Sequence, residues 1–138
     1  MDPKSCYNII RNDRANSTGG GVCIFITKRL VYIQSETVEF FPELELAVCD
    51  VVFKDITVRF ILVYRAPHSN YDISASLVRS FQYFANPKGP NFILEDLNCP
   101  DIGWENNLIP TDLAQSVLHQ HFINFGFSQC VGSSTHGA

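Results

Sequence analysis

No apolar stretch in this chain is longer than a strand. The longest runs, such as Phe60-Ile61-Leu62-Val63-Tyr64 and Val22-Cys23-Ile24-Phe25-Ile26, hold five residues each, against the roughly 20 needed to cross a bilayer. They are rich in Val, Ile and Phe, which suits strands buried in a sheet. The core of such a chain is therefore built from several short strands, with any helix amphipathic and laid against them.

The 138 residues predict one domain, and a compact chain of that size buries roughly two-thirds of its unfolded surface. With 46% hydrophobic and 17% charged residues and a mean hydropathy of +0.03, disordered, collagenous and coiled-coil classes are excluded. Met1-Asp2-Pro3-Lys4 leads into a polar segment, so neither a secretory leader nor a membrane span is expected. The five cysteines, Cys6, Cys23, Cys49, Cys99 and Cys130, are odd in number and contain no C-x-x-C pair, which favours a reducing intracellular compartment, nucleus or cytoplasm, over secretion. Asn16-Ser17-Thr18 then reads as a polar turn and not as a glycosylation site.

The apolar pattern gives an order of elements. Val22 to Ile26 reads as a strand buried on both faces, following a polar turn at Asn12 to Gly21, and Leu30 to Ile33 is expected to pair with it. Leu44 to Phe53 and Ile56 to Tyr64 form a hairpin through Lys54-Asp55. Ser69-Asn70 caps a helix whose Ile73, Leu77, Phe81 and Phe84 recur at helical spacing, and Asn86-Pro87-Lys88-Gly89-Pro90 ends it. A strand follows at Asn91 to Glu95, then a loop to Pro110, a helix from Thr111-Asp112 to Gly126, and a strand at Phe127 to Val131. Strands first, then strands alternating with helices, predict a layered α/β fold.

Charge is unevenly placed. All ten Lys and Arg lie in residues 1 to 88, while residues 89 to 138 hold only acids: Glu95, Asp96, Asp101, Glu105 and Asp112. Such a cluster is either a solvated loop or a seat for a hard cation. Within it, the strand from Asn91 to Glu95 runs into Asp96-Leu97-Asn98. Residues two apart in extended chain point the same way, so a carboxylate and an amide would project together from a sheet end. That pair suits phosphate-ester hydrolysis, the carboxylate handling water or a cation and the amide donating to a phosphate oxygen; Asp and Asn are also what a strand-end turn prefers. Tyr64-Arg65 ends another strand and offers two phosphate donors, or a core-capping phenol beside a solvated guanidinium.

Taken in order, Arg11-x-Asp13-Arg14, Gly19-Gly20-Gly21-Val22, Glu45-Leu46, Tyr64-Arg65-Ala66-Pro67, Asp96-Leu97-Asn98 and Pro100-Asp101-Ile102-Gly103-Trp104 resemble the endonuclease domain of non-LTR retrotransposons, a branch of the endonuclease/exonuclease/phosphatase superfamily. The resemblance runs from about Tyr7 to about Thr135. It implies a four-layer α/β sandwich, two mixed β-sheets flanked by helices, of which residues 1–138 form a single partial domain, the incomplete central portion. It further implies Mg²⁺-dependent nicking of DNA, with Mn²⁺ as a possible substitute, to prime a fused reverse transcriptase domain. Under the resemblance Asp96, Asn98 and Tyr64 are the catalytic residues, Asp96 and Asn98 partial metal ligands, and Arg65 and His68 contacts to the phosphate backbone. Ile102 and Trp104 are then packing residues of the loop.

Departures from the family pattern shape the expectation. Glu95 stands where the family has Gly, on the opposite face of the strand from Asp96, and adds negative charge. Ala66 replaces a proline. The family's upstream metal-binding Glu and downstream Ser-Asp-His motif are missing from the sequence. His136 reads as a surface residue, and His119 and His121, two apart on a helix, face different ways, which argues against a joint metal site. The chain alone is thus expected to be impaired or inactive as a nuclease. A non-catalytic remnant or binding module of the same fold is the alternative class, and a superfamily phosphatase shares Asp96 and Asn98. Gly19-Gly20-Gly21 lacks the Lys-Ser/Thr ending of a P-loop, and no Gly-x-Ser-x-Gly occurs.

Overall fold

The computed structural model describes residues 6–14, 18–106 and 108–132; Asn16, Ser17 and His136 lie outside them. Among the described residues the chain is an α/β fold in two sheets with two helices. Strands β1 (Tyr7–Asn12) and β2 (Val22–Thr27) form an antiparallel hairpin, in register from Tyr7 opposite Thr27 to Asn12 opposite Val22. The second sheet has the order β3-β4-β5-β6, with β3 at Val31–Ser35, β4 at Glu45–Phe53, β5 at Ile56–Tyr64 and β6 at Asn91–Asp96. It is antiparallel except where β5 meets β6.

The β4–β5 hairpin forms as the sequence predicts, with Phe53 opposite Ile56 and Lys54 at φ 54° in the two-residue turn. A parallel partner cannot be reached by a tight turn, and helix α1 (Tyr71–Phe84) spans the crossover. Its cap is the expected one: the Asn70 side chain accepts from the Ile73 N–H at 3.1 Å. Helix α2 (Leu113–Asn124) starts on Asp112, whose carboxylate accepts from Gln115 N–H at 2.9 Å. It stops before Gly126, at φ 68°.

Alternation along β4 and β5 divides the core in two. Leu46, Val48, Ile61 and Val63 face the helices and pack with Leu77, Phe81, Leu118 and Phe122. Ala47 and Cys49 face the hairpin and pack with Ile10, Val22 and Ile26. Each fully buried Leu, Ile or Phe contributes about 1.5–3 kcal/mol before entropy is counted, so both faces of β4 are needed to hold three layers together. The helices pack on one face of β4 and the hairpin on the other, an arrangement consistent with the expected sandwich.

Three local expectations are corrected, and one strand, β1, has no counterpart among the elements expected from the apolar pattern. Tyr7–Asn12 is a strand although Asn8, Arg11 and Asn12 interrupt its apolar pattern. Strand β2 pairs with it, and not with the next strand, because Leu30 N–H closes a turn onto Thr27 C=O at 3.0 Å and β3 passes to the other sheet. Strand β2 is buried on one face only: Val22 and Ile26 point inward while Cys23 and Phe25 are exposed. Phe127 to Val131 is not a strand; it is exposed, irregular chain.

Candidate functional site at the ends of β5 and β6

Register, and not sequence distance, assembles the site. Glu45 lies opposite Tyr64 and Tyr64 opposite Asp96, so three chemically distinct side chains stand in one row across β4, β5 and β6. Partners in register share a face, and this row continues the face of Ala47, Leu62 and Leu94 that looks toward the hairpin. It sits at the carboxyl ends of the parallel pair, where α/β sheets place ligands. An open cleft of about 390 Å³ lies here, roofed by Gly21, Val22 and Cys23 and floored by Leu62, Tyr64, Leu94 and Asp96. On the other side of Tyr64 a smaller hollow of about 140 Å³ reaches Glu43, Ala66 and Ser69.

The roof is fastened by Glu45. Its carboxylate accepts from Arg14 Nε at 2.8 Å and also from Arg14 Nη2 and the Gly21 N–H. Gly19, Gly20 and Gly21 all have φ between 82° and 85°, a left-handed run that only glycine adopts cheaply. A Cβ on Gly20 would sit 2.7 Å from the Glu45 carboxylate and 2.8 Å from Arg14 Cζ. Asn12 adds a second tie, donating to Leu46 C=O at 2.9 Å. The glycine run is thus a turn that brings the hairpin over the cleft.

Asp96 is exposed at the end of β6, and its backbone carbonyl accepts from Arg65 N–H at 2.8 Å. The alternation that would align Asp96 with Asn98 ends there. Leu97 is buried and Asn98 adopts φ 47°, a left-handed conformation that Asn tolerates better than most residues. Asn98 Nδ2 donates to Arg65 C=O at 2.8 Å, which commits one of its amide hydrogens to the backbone. Glu95 registers with Val63 on the opposite face from Asp96, as expected, and accepts from Leu97 N–H at 3.1 Å. Desolvation pushes its carboxyl above the ordinary range; the Leu97 N–H opposes that rise and the charge of Asp96 adds to it.

Arg65 departs from its expected role on the phosphate backbone. Its side chain is turned inward, only 3% exposed. Its guanidinium donates to Ser69 C=O at 2.7 Å, Ser74 Oγ at 3.0 Å and Leu97 C=O at 3.1 Å. It joins the β5 end, α1 and the loop after β6, with its donors committed to those acceptors. Nothing in Tyr-Arg-Ala-Pro signals this, since the acceptors come from three separate segments. His68 stays exposed in the turn at φ 60°.

Among the described residues no three His, Cys, Asp or Glu side chains group closely enough to hold a metal ion. Asp96 with Asn98 therefore does not amount to a Mg²⁺ site by itself. The nearby cations are committed as well: Arg14 to Glu45, Arg11 to Asp13 at 2.6 Å, and Arg65 to the interior. Ile102 is buried, and Trp104 packs on His119 and Phe122 at ring distances of 6.3 and 5.7 Å, holding the loop against α2. Sequence reasoning missed two parts of this arrangement: the clamp from Glu45 to Arg14, and the apolar floor at Leu94. Comparison with protein-family models, curated proteins and solved structures returns no match.

Proposed function

We propose that this protein holds the phosphodiester-facing part of an endonuclease domain of the non-LTR retrotransposon type, with a DNA phosphate lying along the row from Tyr64 to Asp96. The observation that carries the reading is that row: a phenol and a carboxylate in register, at the carboxyl ends of parallel strands, beside an open cleft. Tyr64 would donate to a phosphate oxygen and Asp96 would orient or deprotonate water. In the intact family a Mg²⁺ ion supplies Lewis acidity at this place, and a reverse transcriptase domain uses the nick. The donors among the described residues do not fit that ion on their own.

A second reading, a binding module without catalysis, is favoured by the charge of Glu95 beside Asp96. Both readings meet in one experiment. Incubated with supercoiled plasmid and Mg²⁺ or Mn²⁺, the 138-residue chain should give no more than trace nicking; robust nicking abolished by Asp96→Ala would overturn the incompleteness of the site. Duplex binding followed by anisotropy should be weak and should strengthen as salt is lowered. Asp96→Asn, which removes one like charge near the phosphate, should tighten it about fivefold, the equivalent of ~1 kcal/mol for charges 4 Å apart in water. An unchanged affinity in Asp96→Asn would show that no phosphate passes this row.

A further inference from the structure

We propose that α2 is an acid-released strut, in which protonation of the buried His121 loosens α2 from α1 and frees the loop that follows Asn98. Both histidines are buried, with 2% and 5% of their surface exposed. Neither Nδ1 nor Nε2 of His121, nor Nε2 of His119, has a hydrogen-bond partner. A neutral imidazole tolerates such a site poorly and a charged one far less.

Among the described residues no carboxylate faces the ring of His121; the C-terminal dipole of α2, in whose last turn it lies, is the one favourable charge. His121 packs among Phe81, Phe122, Phe125 and Phe127 at ring distances of 4.6 to 6.1 Å, and His119 meets Trp104. From α1 the facing group is Phe81; the charged residues of that helix are Asp72 and Arg79, and Arg79 donates to Ser76. Helix α2 has no Asp, Glu, Lys or Arg. In the loop packed against it, Asp101 accepts from Gln115 and Asp112 caps the helix, leaving Glu105 as its other acid, exposed. The segment from Phe125 to Gly132 has Cys130 as its one titratable side chain. Burial lowers the proton affinity of His121, and no carboxylate counters that effect.

The strut bears on the candidate site through two contacts. Gln115 Oε1 accepts from Asp101 N–H at 2.9 Å while its Nε2 donates to Asp101 Oδ2 at 2.8 Å, and Trp104 rests on His119 and Phe122. Loss of α2 from its seat would remove the Gln115 and Trp104 ties that hold the loop after Asn98. The release stands on this packing alone and does not depend on the nuclease reading.

The sign follows from linkage. A free imidazole titrates near 6.5, and the buried ring of His121 binds its proton less well, so opening takes up protons. Above pH ~6.5 the opening equilibrium of α2 is flat. Below it, opening rises with the protonation of His121 in the open state, approaching about tenfold per pH unit, until the buried ring itself titrates.

Hydrogen exchange of the whole chain at pH 7.5, 6.5 and 5.5, corrected for intrinsic rates, tests this. Opening of the α2 amides should rise about fivefold between pH 6.5 and 5.5 while β4 and β5 hold their protection. His121→Phe keeps an aromatic ring without a titrating group and should lose that rise. Unchanged α2 protection across the range, loss in step with β4 and β5, or a full acid response in His121→Phe would each overturn the proposal. Should that variant fail to fold, ring-proton titration of the unchanged protein by NMR decides: a His121 midpoint at or above about 6.5 refutes it, and a lower one supports it.

Discussion

Replacing Arg65 with Met keeps most of the side-chain volume and stem packing but removes every donor. Two backbone acceptors, Ser69 C=O at 2.7 Å and Leu97 C=O at 3.1 Å, then remain in place without their partner. Ser74 Oγ sits on α1 and can turn to a helix carbonyl, so it adds little. Each stranded carbonyl costs about 1–3 kcal/mol, so Arg65→Met should lose about 4 kcal/mol of a total that is about 5–15 kcal/mol for an ordinary domain. With a urea slope of about 2 kcal/mol/M the unfolding midpoint falls by ~2 M. Arg65→Lys should recover less than half of that, because a single ammonium cannot span acceptors from three segments. Chemical denaturation followed by Trp104 fluorescence measures both. A shift below ~0.5 M for Arg65→Met would refute the argument that the guanidinium holds three segments together. The DNA salt slope offers a second check, since a buried arginine that meets no phosphate leaves it unchanged.

Gly20→Ala should destabilise by ~2 kcal/mol or more, because a positive φ and a collision with the Glu45 carboxylate act together. Gly19→Ala shares the φ but has nothing within 4 Å of its Cβ, and should cost ~1 kcal/mol in thermal melts. Thiol labelling near pH ~8 should find Cys6, Cys23 and Cys130 fast, since all three are exposed. Cys49 and Cys99, both pushed up to about 11 by burial, should react only as the protein unfolds.

The legible parts of the sequence are those where a local pattern and the tertiary packing agree. Asn70 ahead of Ile73, Leu77, Phe81 and Phe84 marks α1, and each of those apolar residues reaches the core. Lys54-Asp55 between two apolar runs marks the hairpin. Strand β1 is hidden because Asn12 points inward and bonds to Leu46 C=O, a polar residue at a core position. The run Val22 to Ile26 overstates burial because an apolar outer face at Phe25 remains open. Asp96 and Tyr64 are legible as strand ends, but their adjacency is a matter of register. Arg65 reads as a surface residue in any local window, and its burial is decided by acceptors 4 to 33 residues away. The histidines face different ways as their spacing requires, yet both are covered, because α2 has α1 on one side and the Trp104 loop on the other.

The parallel pairing of β5 with β6 also sets an order in time. A protein emerging from its N-terminus can close the β1–β2 and β4–β5 hairpins early, since each needs only its own neighbours. Tyr64 and Asp96 cannot meet until the whole crossover, residues 65–90, has been made and α1 has docked. During synthesis the candidate site is therefore assembled after most of the main sheet exists, and until then Leu62 and Tyr64 lie on an unpaired edge that must be kept from other strands.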